Sequence, residues 1–216
     1  MRCLLCAVAL LTWLPAPRPV AASGLDPQAF TRRAETRLRP QALDREVLAE
    51  AVTRETNLRR SSERESPLAH DARLDRAAAI QADAMAALNA VTHVNPGRPD
   101  LATPAERVRS VGLSPAYVAE NVATHFAIRY RSGTPLYPRV RDGVREFSTT
   151  PGGPPIAPHT YLSFAASLVD QWMGSPGHRR NILSESAARM GAACTARSEP
   201  GGMDTLFCAQ VFTSER

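Results

Sequence analysis

The chain has 216 residues, 44% hydrophobic and 22% charged, which is ordinary globular composition and enough length for one domain with a real core. All 26 basic residues are arginine and the formal net charge is +5. The arginines are scattered, with no recognition helix and no stacking aromatics among them, so no nucleic-acid partner is expected.

Met1 to Ala22 carries an early Arg2, an apolar run from Cys3 to Leu14, then Pro15, Pro17 and the small-residue site Val20-Ala21-Ala22. This is the pattern of a secretory signal peptide, too short and wrongly flanked for a membrane span. No other segment is apolar enough to cross a bilayer, so the mature protein is expected to be exported to the periplasm or the extracellular space, without a transmembrane segment. Removal of Arg2 and Arg18 leaves 24 basic against 21 acidic residues, a net of +3, which is weak evidence for an acidic partner. Cys3 and Cys6 leave with the signal as well. Cys194 and Cys208 remain in an oxidising compartment, placed symmetrically about Gly201 in a Pro-Gly-Gly turn segment, and a disulfide between neighbouring strands follows. A two-thiol metal site lacks the close Cys-x-x-Cys spacing and the nearby histidines it would need.

Residues 23–40 are an Arg-rich stretch without a sustained apolar face and read as a linker or loosely docked arm. From Leu43 the positions Val47, Leu48, Ala51 and Leu58 keep mostly helical spacing, predicting a helix over 42–60. Leu74, Ala77, Ala78, Ala82, Met85 and Leu88 mark a second, Ala-rich helix that ends near Asn89 and leaves His93 just beyond it. A short third helix runs from Pro104 to Val111, closed by Gly112. Tyr117 to Ala123 then sets Glu120 in an apolar context, where a carboxylate needs a partner. Residues 129–158 are dense in proline and glycine with little periodicity, and read as a long, mobile surface insertion. Tyr161, Phe164, Leu168, Val169 and Trp172 share one face of a fourth helix, and Met190–Ala196 and Thr205–Phe212 alternate as two antiparallel strands. Four or five helices around a small antiparallel sheet make an α+β layered domain.

The densest signal lies between Trp172 and Leu183. Gly174 stops one helix, Ser175 is placed to cap the next, and Pro176 suits the first helical position, which puts His178 in the first turn. The positive end of the helix dipole disfavours imidazolium there, leaving His178 a lone pair at neutral pH.

These pieces, taken in order, are Asn57-Leu58-Arg59-Arg60, Pro67-Leu68 with Asp71, Gln81-Ala82-Asp83-Ala84-Met85, His93, Glu120-Asn121-Val122-Ala123, Trp172 through Leu183, and Met190-Gly191. The set closely resembles the CAP superfamily of cysteine-rich secretory, antigen 5 and pathogenesis-related 1 proteins (the SCP domain), in its bacterial secreted branch. The resemblance implies a single CAP-like domain over 41–216, interrupted by the 129–158 insertion, folded as an α-β-α sandwich with a small antiparallel sheet between helices. It further implies a central cleft in which His93 and His178 hold a divalent ion such as zinc, supported by Glu120 and Asn121. Where many relatives keep a second glutamate, three residues after Trp172, this chain has Ser175. Losing that carboxylate leaves an open, weak site, unlike the closed ligand sets of structural zinc.

Each residue also has a plainer reading. His93 can be a helix C-cap, His178 can order its own turn, Glu120 can be a buried strut, and Ser175 is better read as a cap than as a nucleophile. His70, His125 and His159 fall outside the shared pattern and read as surface or loop residues. The leading expectation is a non-enzymatic cleft-binding module for a lipid, sterol or envelope ligand, with an optional, weakly bound divalent metal. A zinc-assisted ester or peptide hydrolase using His93, His178 and Glu120, and a purely structural domain, are the alternatives. The oligomeric state is not legible in the sequence.

Overall fold

The computed structural model describes residues 26–215, so the signal-peptide reading of 1–22 lies outside the described residues. Helix α1, Pro27–Ala34, begins at Asp26, whose carboxylate accepts the Ala29 N–H at 2.9 Å, and ends with two arginines in its last turn. Phe30, Ala34 and Leu38 recur every fourth residue and all three are buried in the main core. Arg33 grips Asp44 through two nitrogens at 3.0 and 2.7 Å, and Arg54 lies 3.9 Å above the Phe30 ring. From Asp26 onward the Arg-rich arm is therefore packed, not loose. One narrow apolar stripe among arginines anchors it without ever forming the broad face that periodicity detects.

Helix α2, Arg45–Ser62, is capped by Asp44. Strand β1, Ala69–His70, leads into helix α3, Ala72–Leu88, which Asp71 caps at its start and Asn89 ends in the left-handed conformation, φ 52°. Helix α4, Pro104–Ser110, opens with a reciprocal Thr103–Glu106 capping box. Strand β2 is Val118–Phe126, and the 129–158 region contains β3, Tyr137–Arg141, and β4, Val144–Ser148. Then come helix α5, Tyr161–Met173, helix α6, Pro176–Ile182, and strands β5, Arg189–Arg197, and β6, Thr205–Thr213.

The main sheet has the order β1-β5-β6-β2, with β5, β6 and β2 antiparallel and the two-residue β1 parallel to β5. The sheet is thus mixed where an antiparallel one was expected, because β1 is too short to show an alternation. Successive side chains of a strand point to opposite faces, and two apolar layers follow. Ala192, Cys194, Leu206, Cys208 and Ala123 pack with α1, α2 and α5, whereas Ala193, Phe207, Ala209, Val211 and Val122 pack with α3 and α4. Helices cover both faces, giving the single α+β, α-β-α domain that the sequence predicted. Cys194 and Cys208 sit directly opposite in the β5–β6 register, buried and joined as a disulfide.

The 129–158 insertion is built rather than irregular. Asp142 and Gly143, both at positive φ, make a two-residue turn between β3 and β4, pairing Arg141 with Val144. Within the insertion the Phe147 carbonyl receives the Ile156 N–H and Ser148 is buried, and its two ends are drawn together by Arg129 N–H on the Ala157 carbonyl at 2.8 Å and His159 N–H on the Ala127 carbonyl at 3.0 Å.

Candidate functional site

Strand β2 is an edge strand, and the site is wrapped around it. Glu120 and Asn121 are neighbours in sequence, so their side chains leave on opposite faces of the sheet. On the α3/α4 face, Glu120 is buried and both of its oxygens are engaged. His93 Nδ1 lies 3.0 Å from Oε1, and Arg107 donates to Oε2 at 2.8 Å. Arg107 has no exposed side-chain surface, and its two terminal nitrogens also donate to the carbonyls of Leu101 and Ala102, both at 3.0 Å, and of His93 at 3.2 Å, while its buried Nε has no partner among the described residues. A buried carboxylate beside a buried guanidinium is compensated charge that fixes geometry. The carboxylate can only accept, so His93 carries its proton on Nδ1 and presents Nε2 outward on a half-exposed ring. A short bond from Gln81 to the Thr92 carbonyl ties the same loop to α3.

On the α2/α5 face, Asn121 donates to the His178 carbonyl at 3.2 Å and to Gln210 Oε1 at 3.1 Å, and accepts from Asn181 at 2.9 Å. Asn181 also reaches the Glu120 carbonyl at 3.3 Å. Helix α6 is thereby fastened to β2, and His178 is brought near enough to feel the charge of His93. The His178 pKa lies below the ordinary histidine value, first because of burial and then because of His93. The shift favours the neutral form expected from the helix start, with burial as its leading cause.

Ser175 is the N-cap residue of α6 in backbone conformation, but its hydroxyl makes no capping bond. The turn is closed by backbone instead, with Ser175 N–H on the Trp172 carbonyl at 3.0 Å and Arg179 N–H on the Ser175 carbonyl at 2.9 Å. Among the described residues no imidazole is hydrogen-bonded to that hydroxyl, which leaves it without the base a nucleophile requires.

For a metal, the donor set is short. His93 has the orientation of a ligand, its Nδ1–H held by a carboxylate and Nε2 free. Among the described residues, however, no group of three His, Cys, Asp or Glu side chains is placed to hold an ion. Two imidazoles suit a weak, open site and fall below the three protein ligands of a catalytic zinc.

The remaining histidines correct the sequence reading. His159 is buried, His125 lies on β2 with its ring 5.6 Å from that of His159, and His70 lies on β1 with Nε2 2.8 Å from Asp75. None is simply a surface residue. Arg107, Thr56 and Gln210 were the residues that sequence reasoning missed. Arg107 left one signal, a cation beside Val108 on a short capped helix, while polar residues in a strand such as Gln210 leave none.

Residues 53–212 match the family model of CAP, the cysteine-rich secretory protein family. The chain belongs to the CAP family. No sequence among the curated proteins matches it. An extracellular protein containing an SCP domain from Bacillus anthracis str. Ames superposes on this CAP chain with a TM-score of 0.51 at 16% identity, covering 90% of this chain and 45% of that protein. The chain therefore spans under half the length of that relative, and the likeness is one of fold. An outer surface protein from Borrelia burgdorferi gives a TM-score of 0.48 at 14% identity, covering 77% of this chain and 92% of the other. Among the described residues no helix of this CAP domain is long and apolar enough to cross a membrane.

Proposed function

We propose that this CAP domain is a secreted, non-enzymatic binding module for a lipid, sterol or cell-envelope ligand, received at the polar cleft around His93 and His178, with a divalent metal as a weak, optional occupant. One observation carries the reading: Glu120, the only carboxylate of the cluster, has both oxygens committed to Arg107 and His93. A general base must reach a proton on substrate or water, and a carboxylate whose side chain is 1% exposed and doubly engaged is a strut. With Ser175 in place of a second carboxylate, the cluster offers hydrolysis neither a free carboxylate base nor, among the described residues, a third metal ligand. The signal-peptide pattern and the extracellular relative support export.

Equilibrium binding of the chain from residue 23 onward to phospholipid, sterol and cell-wall panels tests this. Saturable binding to one class, weakened at least tenfold by His93→Ala and by His178→Ala, is the expected result. Binding to none of the panels, or near-stoichiometric zinc with ester or peptide turnover abolished by both substitutions, overturns it. Any zinc affinity should fall as the solution is acidified and His178 protonates, since a ligating imidazole must be neutral.

A further inference from the structure

A cleft of about 880 Å³ lies between β2 and α5 and shares no residue with the cluster of His93, Glu120 and His178. Its size falls in the range of small-molecule sites. Its charge is one-sided. Asp170 is the one carboxylate on its walls and is already paired with Arg59 at 2.8 Å. Arg129 and Arg131 are exposed at the rim and, among the described residues, neither has an ion-pair partner. Two uncompensated guanidinium groups repel a metal cation and match a carboxylate, sulfonate or phosphate group through forked hydrogen bonds.

The histidines of this cleft are held in defined states. Gln171 donates to the Thr124 carbonyl at 3.3 Å, which turns its Oε1 toward His125 Nδ1 at 2.9 Å. That oxygen only accepts, so the His125 proton sits on Nδ1 and Nε2 bears the lone pair. His159 Nδ1 lies 3.0 Å from Ser163 Oγ. Burial depresses both imidazoles, and in His159 the neighbouring His125 and Arg129 help bring the pKa to about 4.

We propose that this cleft binds a small organic anion, its charged group held by Arg129 and Arg131 and its apolar body lying against Phe126 and Ala166. The groups packed around His125 from α5 are the neutral Gln171 and Phe164, with His159 beyond, and among the described residues lining the cleft the sole carboxylate is the compensated Asp170. A bound anion is then the one uncompensated negative charge available to either imidazole. It raises their pKa, and by reciprocity proton uptake accompanies binding.

The probe is naphthalene-2-sulfonate, charged throughout pH 5 to 8, titrated into the full mature chain by calorimetry beside uncharged 2-naphthol. We expect one-to-one binding of the sulfonate, at least tenfold weaker binding of 2-naphthol, and at least tenfold loss in Arg129→Gln/Arg131→Gln. Affinity should rise between pH 7.5 and 5.5, by up to about tenfold per pH unit for one proton taken up. His125→Asn keeps a donor toward Gln171 and removes the titrating nitrogen, so it should flatten that rise. Absence of sulfonate binding, equal affinity for the two probes, or indifference to the arginine pair overturns the site, and a pH-independent affinity overturns its coupling to the imidazoles. His93→Ala and His178→Ala should leave the sulfonate affinity unchanged, which separates this cleft from the proposed ligand site.

Discussion

Arg107 and Glu120 show how much one buried pair controls. Removing the guanidinium leaves a carboxylate in the interior with only the His93 N–H for company, and breaking a buried pair from one side costs about 3 to 5 kcal/mol. Arg107→Ala should lose that much in urea unfolding at neutral pH, while Arg107→Leu/Glu120→Leu should regain only part of it, because no orphaned charge remains but the carbonyls of Leu101 and Ala102 still lose their donor. His159 provides the pH lever. Its folded pKa, about 4, lies below the 6.5 of an unconstrained histidine, so the unfolded chain binds the extra proton first. Stability from this group is complete above pH 6.5 and is lost as pH falls toward 4, by up to about 3 kcal/mol. Denaturant midpoints measured across that interval should fall more steeply for the parent chain than for His159→Gln. His70 has the opposite sign, since its bond to Asp75 raises its pKa. Its contribution is present below the unfolded value and fades as pH rises through the folded one.

At the scale of elements, the tightest junction is that of α3 with β5. A Cβ at Gly191 would lie 2.4 Å from the Asp75 backbone nitrogen and 2.6 Å from Leu74 Cβ, and Asp75 accepts the Ala192 N–H at 2.9 Å. Helix and strand touch there through backbone. Gly191→Ala should therefore separate them and cost about 1 to 3 kcal/mol, read as a lower midpoint in thermal unfolding. Most elements were legible because their apolar positions repeat. The stripes over 74–88 and 161–172 and the alternation of β5 and β6 each follow from one rule. The missed elements were those with too few residues to repeat, such as β1, or with a signal hidden in poor context, such as Asp142-Gly143 between Val140 and Val144. His93, Glu120 and His178 were recognisable as a set from their order along the chain. That Glu120 is spent on Arg107 was not, because a long-range ion pair leaves no trace in local sequence.

Over the whole molecule, the domain begins earlier than its family likeness. The family match starts at residue 53, yet Phe30, Ala34 and Leu38 lie in the same core as Trp172 and Phe212. Backbone pairing of Arg37 with Thr160, and Leu38 N–H on the His159 carbonyl at 2.8 Å, join the arm to the start of α5. Phe30→Ala should cost about 3 to 5 kcal/mol, as for other buried aromatics, and should make the arm susceptible to limited proteolysis. A chain starting at residue 41 should unfold at lower denaturant than one starting at 23. If the two unfold together, the arm is not part of the cooperative unit.

The buried polar chain from Thr56 through Gln210 to Asn121 has a consequence for how this domain tolerates change. Gln210 donates to Thr56 at 2.7 Å and accepts from Asn121, and all three are fully inaccessible to solvent. Any one of them altered alone leaves its neighbour with an orphaned donor or acceptor and no water to satisfy it. Positions 56, 121 and 210 therefore form a single heritable unit spread over 154 residues of sequence. Saturation libraries built one position at a time should recover almost only the parental residue at each, whereas a library varying the three together should yield apolar triplets that fold.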